Sequence, residues 1–156
     1  MNVLGLRFSN SDYAYAIMNG KKVKPIVRKV ELVNYPKGFS TPKALDWQLK
    51  ELIAIIKSYE VRVIVIKGFE GPKRDKTFVE RIEHEAMAFL ADEHCGLRAS
   101  YRKVGKTIAK DLGLAFGFKG KTKYLFTSLD VSLIPNYDSY DAKCTDAIRA
   151  AWSALR

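Results

Sequence analysis

The segment formed by residues 61–66 constrains the fold of this chain more than any other part of the sequence. It reads Val-Arg-Val-Ile-Val-Ile, so five of its six residues are apolar and β-branched. Such a run is typical of a strand that is covered on both faces, as in the centre of a parallel sheet. We therefore predict an α/β protein in which this segment is the central strand.

Amphipathic segments stand on both sides of this strand. One helix is predicted over residues 42–59, because a proline follows the candidate N-caps Ser40 and Thr41 and leucine and isoleucine then recur at helical spacing. Another is predicted over residues 77–94 and ends before Gly96, a residue type that often follows a helix. The predicted apolar face of this second helix comprises Val79, Ile82, Ala86, Phe89 and Leu90.

The first part of the chain favours an antiparallel meander. Strands are predicted over residues 3–8, 13–18 and 26–33, where apolar residues form short or alternating runs. Asn19 and Gly20 predict a two-residue turn between the second and third of these strands.

The remaining elements complete an α/β order. A fifth strand is predicted over residues 97–103, and helical segments over residues 105–112, 123–129 and 141–155. The meander therefore continues into parallel strands through helical crossovers, which predicts a mixed five-stranded sheet flanked by helices. The length of 156 residues suits a single domain over residues 1–156. Ligands of such sheets bind at the carboxyl ends of the parallel strands.

The positive charge is concentrated in two stretches. The chain has 27 basic and 17 acidic residues, which gives a formal net charge of +10. Residues 1–29 contain six basic residues and one acidic residue, and residues 97–123 contain eight basic residues and one acidic residue. This local excess favours a polyanionic partner such as nucleic acid, although solvated lysines on loops and helix faces would give the same count.

Aromatic residues lie among the basic residues of the second stretch. Rings beside cations suit stacking on the bases of single-stranded nucleic acid, and they equally suit anchoring of a loop in the core. The sequence leaves both interpretations open for Tyr101, Phe116, Phe118 and Tyr124.

The cysteines and the hydropathy pattern indicate a cytoplasmic protein. Cys95 and Cys144 belong to no metal-binding motif, so we predict two free thiols in a reducing compartment. No apolar run approaches the roughly 20 residues that cross a bilayer, so no membrane partner is expected.

Common catalytic motifs are incomplete. Residues 105–107 read Gly-Lys-Thr, but Ser100 stands where a phosphate loop requires its first glycine. His84 and His94 are predicted to lie on the surface, and neither cysteine has a basic activator nearby in the sequence. Nucleotide hydrolysis and thiol or serine catalysis are therefore disfavoured.

The order of the elements and several short motifs resemble the RNase H-like superfamily, and within it the RuvC-type Holliday-junction resolvases and related small bacterial proteins. The resemblance implies a nuclease site in which carboxylates hold two divalent metal ions: an aspartate in strand one, a glutamate at the end of the central strand, and an aspartate pair on the last helix. The similar segments are residues 4–17, 61–67, 104–110, 117–123 and 146–151.

The chain departs from this pattern at the metal-binding positions. The aligned residues are Arg7, Lys67, Lys143 and Asp146, so three of the four are cationic. Basic side chains repel Mg²⁺, which requires oxygen ligands. Acids within a few residues could rebuild a site, and these candidates are Asp12, Glu70, Asp138 and Asp141.

The leading hypothesis is a catalytically inactive RNase H/RuvC-like domain that uses no metal or cofactor and binds DNA, RNA or another acidic partner. The predicted binding residues are Arg7, Lys67, Arg102, Lys103, Lys106, Lys110, Lys119, Lys121, Lys123 and Lys143. One alternative is a Mg²⁺- or Mn²⁺-dependent nuclease that uses the displaced acids Asp12, Glu70, Asp141 and Asp146. Another is a protein-interaction or adaptor domain that uses an exposed helix face.

Overall fold

A computed structural model of the chain describes residues 1–71, 76–119 and 129–156. Five strands form one sheet in the order β3-β2-β1-β4-β5. Neighbours in the meander β1–β3 are antiparallel, and β4 is parallel to both β1 and β5. The elements are β1 (Asn2–Phe8), β2 (Asp12–Lys21), β3 (Lys24–Asn34), α1 (Thr41–Ser58), β4 (Val61–Lys67), α2 (Lys76–Cys95), β5 (Ala99–Lys103), α3 (Gly105–Ala115) and α4 (Ala142–Ser153).

This architecture confirms the predicted mixed five-stranded sheet, with β4 inside it. Ile64 and Val65 are fully buried on opposite faces of β4, as expected for a strand covered on both sides. Two short 3-10 helices, Val131–Leu133 and Tyr137–Ser139, precede α4. The helical turn predicted over residues 123–129 falls almost entirely outside the described residues.

The turn between β2 and β3 differs from the prediction. β2 continues through Asn19 and Gly20, which pair with β3, and the chain reverses at residues 22–23. The register shifts between Ile17 and Met18, and Gly20 adopts a φ of 89° inside the strand. The asparagine-glycine signal therefore marked a glycine with positive φ inside β2, and the turn itself lies three residues further along the chain.

Helices cover both faces of the sheet. α1 and α2 pack on one face, and α3 and α4 pack on the other. Trp152 of α4 is fully buried, and its ring lies 5.8 Å from that of Phe116 at a steep angle. Phe118 packs against the same core. Both phenylalanines are therefore partly buried anchors of the segment that follows α3.

The buried face of α2 differs from the predicted one. Val79 is 57% exposed and Leu90 is 41% exposed, whereas Arg81, His84 and Glu85 are buried. The helix is thus rotated about its axis so that polar side chains face the sheet. Partners on other elements explain this rotation: Phe69 contacts Arg81, Tyr35 stacks on His84, and Arg102 pairs with Glu85.

Two further expectations concern the cysteines and the membrane. Cys95 and Cys144 are both free thiols. Among the residues that the structure describes, no helix has the length and apolar character needed to cross a membrane.

The parallel strands define two edges of the sheet. We call the end at which Arg7, Lys67 and Lys103 lie the carboxyl edge, because β1, β4 and β5 finish there. The opposite end, where Asn2 and Val61 begin their strands, is the amino edge.

Candidate nucleic-acid interface

Arg7 and Asp146 meet at the carboxyl edge although 139 residues separate them. Arg7 lies at the end of β1 on the α4 face, and its Nε lies 3.3 Å from Oδ2 of Asp146. The guanidinium also donates a hydrogen bond to the carbonyl oxygen of Phe8. The side chains of this pair are 20% and 30% exposed, so the ion pair is partly shielded from water.

A second ion pair lies one turn earlier on α4. Nζ of Lys143 lies 2.6 and 2.7 Å from the two carboxylate oxygens of Asp12, at the start of β2. Ser9 donates a further hydrogen bond of 2.6 Å to Asp12. Burial by itself would raise the pKa of Asp12, but the hydrogen bonds from Lys143 and Ser9 outweigh it and leave the pKa lowered. Asp12 is therefore an ionised partner of Lys143.

The third ion pair joins the end of β4 to the start of α3. Lys67 donates a hydrogen bond to Glu70, whose other carboxylate oxygen accepts a hydrogen bond of 3.1 Å from the backbone N–H of Gly105. These donors lower the pKa of Glu70 despite the opposing effect of burial. A carboxylate at a helix N-terminus is also favoured by the helix dipole.

The acids that might rebuild a metal site are thus held apart by different cations. Asp12, Glu70 and Asp146 each pair with a different basic residue, and Asp141 caps α4 by accepting a hydrogen bond of 2.7 Å from the N–H of Cys144. Within residues 1–71, 76–119 and 129–156, no three His, Cys, Asp or Glu side chains form a group that could hold a metal ion. This donor set does not fit the two metal ions that the resemblance implies.

Two neighbouring residues of β5 point to opposite faces of the sheet. Nζ of Lys103 lies 2.8 Å from Asp111 and 3.2 Å from the hydroxyl of Ser153, on the α3 and α4 face. Arg102 turns to the other face, where its Nε lies 2.6 Å from the fully buried carboxylate of Glu85. The structure therefore separates Arg102 from the other predicted binding residues of the carboxyl edge.

The remaining predicted binding residues are on or beyond α3. Lys106, Lys110 and Lys119 are exposed, and none of them forms an ion pair with another described residue. Lys121 and Lys123 lie outside the described residues, as does Tyr124. These three lysines are therefore exposed cations without ion pairs among the described residues, whereas Arg7, Lys67 and Lys143 are paired.

Sequence reasoning missed Arg81, which α2 places over the ring of Phe69. Its guanidinium lies 4.7 Å from the ring centroid of Phe69, and burial together with the nearby charge of Arg7 lowers its pKa to about 10. Within the part of the chain that the structure describes, its Nε has no hydrogen-bond partner. The only sequence signal was a basic residue four positions before Glu85, which helix periodicity places on the same face.

His84 is buried rather than on the surface, whereas His94 is exposed as predicted. The ring of His84 stacks on the ring of Tyr35, with centroids 4.1 Å apart and an interplanar angle of 7°. Burial lowers the pKa of His84 from 6.5 to about 4, so the ring is neutral at pH 7. The polar appearance of the α2 sequence concealed this stacking, because the partner ring lies 49 positions away.

Acidification from pH 8 to pH 5 is expected to remove about 2 kcal/mol of stability through His84. The folded pKa of about 4 lies below the ordinary value of 6.5, so the unfolded chain takes up a proton first. The stability that comes from keeping His84 neutral in the folded state is therefore fully present above pH 6.5. It is lost as the pH falls towards the folded pKa of about 4. Urea unfolding at the two pH values measures it in the natural chain and in His84→Phe, with His94→Gln as the control. An equal pH response in the natural chain and His84→Phe would contradict the assignment.

Similarity to known proteins is detectable in the fold rather than in the sequence. No protein-family model and no curated protein matches the sequence. The RuvC structure from Thermus thermophilus superposes with a TM-score of 0.76 at 11% identity, covering 98% of this chain and 92% of that one. RuvC of the same organism in complex with a Holliday junction substrate superposes with a TM-score of 0.75 at 9% identity, covering 98% of this chain and 91% of that one.

A resolvase from another kingdom gives a weaker match. The yeast mitochondrial Holliday junction resolvase Ydc2 superposes with a TM-score of 0.61 at 12% identity, covering 97% of this chain and 77% of that one. The chain therefore has the RNase H-like fold of RuvC over nearly its whole length, as the resemblance of its motifs implied.

Proposed function

We propose that this chain is a RuvC-like domain that binds nucleic acid through its basic surface and does not cleave it. The observation that carries the proposal is the set of three ion pairs at the carboxyl edge. Arg7, Lys67 and Lys143 stand where the resemblance places metal-binding carboxylates, and each forms an ion pair with a nearby acid.

Electrostatics argues against metal-dependent cleavage at this edge. A divalent ion would have to displace a basic side chain from each carboxylate that it bound, and it would remain beside the displaced cation. Unpairing a partly buried ion pair also leaves charges without partners, which is costly. Cleavage through Asp12, Glu70 or Asp146 is therefore disfavoured by the same contacts that hold these acids in place.

Two observations support nucleic acid as the ligand. The chain has a net charge of +10, and Lys106, Lys110 and Lys119 stand exposed without acidic partners among the described residues. One of the solved structures with the same fold is RuvC bound to a Holliday junction substrate. Lysine contacts to phosphate oxygens give affinity that depends little on sequence, so DNA and RNA are both compatible with these residues.

Binding is expected to weaken steeply with salt. A protein that neutralises about three phosphates of duplex DNA should lose about 40-fold in affinity between roughly 50 and 200 mM salt, because the logarithmic slope is about −0.9 per phosphate. Fluorescence anisotropy with four-way junction, duplex and single-stranded DNA and RNA measures this slope. The variant Lys106→Gln/Lys110→Gln should reduce the slope by about two. Lys50→Gln is the matched control, since Lys50 is exposed on α1 and pairs with Asp46.

The proposal fails if no nucleic acid binds at low salt. The claim that the protein does not cleave nucleic acid fails if the purified protein cleaves junction or single-stranded substrates in Mg²⁺ or Mn²⁺ and Asp146→Asn abolishes that cleavage. Cleavage that persists unchanged in Asp146→Asn would indicate a contaminating nuclease, and the variant controls for it.

A further inference from the structure

A basic groove runs from the amino edge along β5, away from the ion pairs of Arg7, Lys67 and Lys143. Two adjoining cavities of about 460 and 360 Å³ share Arg98 and Arg156 in their linings. The first opens at the amino edge beside Arg62, and the second extends along β5 past Tyr101 as far as Lys103. We call the residues Lys22, Arg62, Arg98, Tyr101, Lys103 and Arg156 the β5 groove.

The charge of the β5 groove is largely uncompensated. Arg62 and Arg98 form no ion pair with any residue in the described ranges. Among the side chains that line the two cavities, Asp111 is the acidic one, and it is already paired with Lys103. Burial and the charge of Lys103 lower the pKa of Lys22, although Asp111 acts in the opposite direction. An anion in the groove would favour the charged form of Lys22 and offer a partner to Arg62 and Arg98, whereas Arg7, Lys67 and Lys143 already have acidic partners.

The shape of the groove suits an extended ligand. β5 lies at the end of the sheet order and spans five residues, about 16 Å at the usual rise of a parallel strand. Tyr101 is 47% exposed in the middle of this strand, and Nζ of Lys103 lies 5.6 Å from its ring centroid. An exposed ring between cations offers a surface on which a base can stack while phosphates contact the basic side chains.

We propose that the β5 groove binds a short single-stranded segment of nucleic acid. Arg62, Arg98 and Arg156 bind the phosphates, and Tyr101 stacks on a base. This inference rests on nucleic-acid binding as the proposed function, but it places the contact on a different surface from α3. A free nucleotide offers the same phosphate and base, so the test includes it as a separate ligand.

The test measures binding of a labelled oligothymidylate of about 12 nucleotides, a length within the site sizes of single-strand binding folds. Tyr101→Ala is expected to weaken binding about tenfold, since one stacked base contributes about 1 to 3 kcal/mol. Arg62→Gln/Arg98→Gln should weaken binding and reduce the salt slope by about 1.4, because the slope for single strands is about −0.7 per phosphate. Arg28→Gln, exposed on β3 at the other side of the sheet, is the control.

The outcomes separate this inference from the proposed function. If the natural chain binds nucleic acid and Lys106→Gln/Lys110→Gln weakens that binding while the groove variants bind as the natural chain does, the groove proposal is overturned and the proposed function stands. If thymidine monophosphate competes as strongly per mole as the oligonucleotide, the ligand is a free nucleotide and the single-strand proposal fails. Absence of any nucleic-acid binding at low salt overturns both. Urea unfolding of each variant verifies that the fold is intact.

Discussion

Replacing Gly5 by alanine is expected to destabilise the protein by at least about 4 kcal/mol, which approaches the whole stability of a marginally stable domain. α4 crosses the sheet directly over Gly5. A Cβ atom at this position would lie 2.0 Å from the carbonyl oxygen of Ala147 and 2.7 Å from the backbone nitrogen of Ala151. Because both atoms belong to the helix backbone, no change of side-chain rotamer relieves the clash, and the whole helix must move away from the sheet.

The control for this prediction is Gly38→Ala. Gly38 has a φ of 77° and no heavy atom within 4 Å of an added Cβ, so the change introduces backbone strain without a clash. It is expected to cost about 1 kcal/mol. Chemical denaturation of the two variants measures the difference. A Gly5→Ala variant as stable as Gly38→Ala would mean that α4 does not approach β1 as closely as described.

Replacing Arg102 by methionine is expected to cost about 3 kcal/mol of folding stability. The carboxylate of Glu85 is fully buried on α2, and Nε of Arg102 lies 2.6 Å from it. Within the described residues, Oε1 of Glu85 has no hydrogen-bond partner, so this ion pair is the main compensation for its burial. Removing the guanidinium leaves a buried negative charge, whereas methionine keeps an apolar side chain of similar length over the strand.

A double-mutant cycle with Glu85→Gln tests the cause. Glutamine removes the buried charge, so Arg102→Met should cost clearly less in the Glu85→Gln background, and the coupling energy should be about 2 kcal/mol. Additive effects of the two changes would show that Arg102 contributes through something other than Glu85. The same result bears on binding experiments, because a loss of nucleic-acid affinity in an Arg102 variant would be mixed with a loss of stability.

The distribution of paired and unpaired cations indicates which parts of this positively charged protein are available to a polyanion. At the carboxyl edge Arg7, Lys67 and Lys143 are each paired with an acid, whereas the nearby Arg81 forms no ion pair with a described residue. Exposed cations that form no ion pair with a described residue include Lys106 and Lys110 on α3 and Arg62 and Arg98 in the β5 groove. A polyanion is therefore expected to contact the flanks of the site rather than its centre.

Local sequence patterns were sufficient to predict most of the fold. The β-branched run of β4 predicted the interior strand, Ser40 and Gly96 marked helix ends, and the order of strands and helices predicted the mixed sheet. These features depend on residues close together in the chain, which is why periodicity and capping signals detect them. The buried face of α2 was predicted wrongly. Arg81 and His84 face inward because the ring of Phe69 packs against Arg81 and the ring of Tyr35 stacks on His84.

By itself, the sequence determined that basic residues stand at Arg7, Lys67 and Lys143, where the resemblance expects acids, because residue identity at an aligned position requires no coordinates. Only the tertiary structure decided what these cations do. Arg7 forms an ion pair with Asp146, 139 positions away in the sequence, and Lys143 forms one with Asp12, 131 positions away. Such pairs depend on how closely α4 approaches β1 and on which way each side chain turns. Sequence spacing contains neither quantity, because both are set by the packing of elements that are distant in the chain.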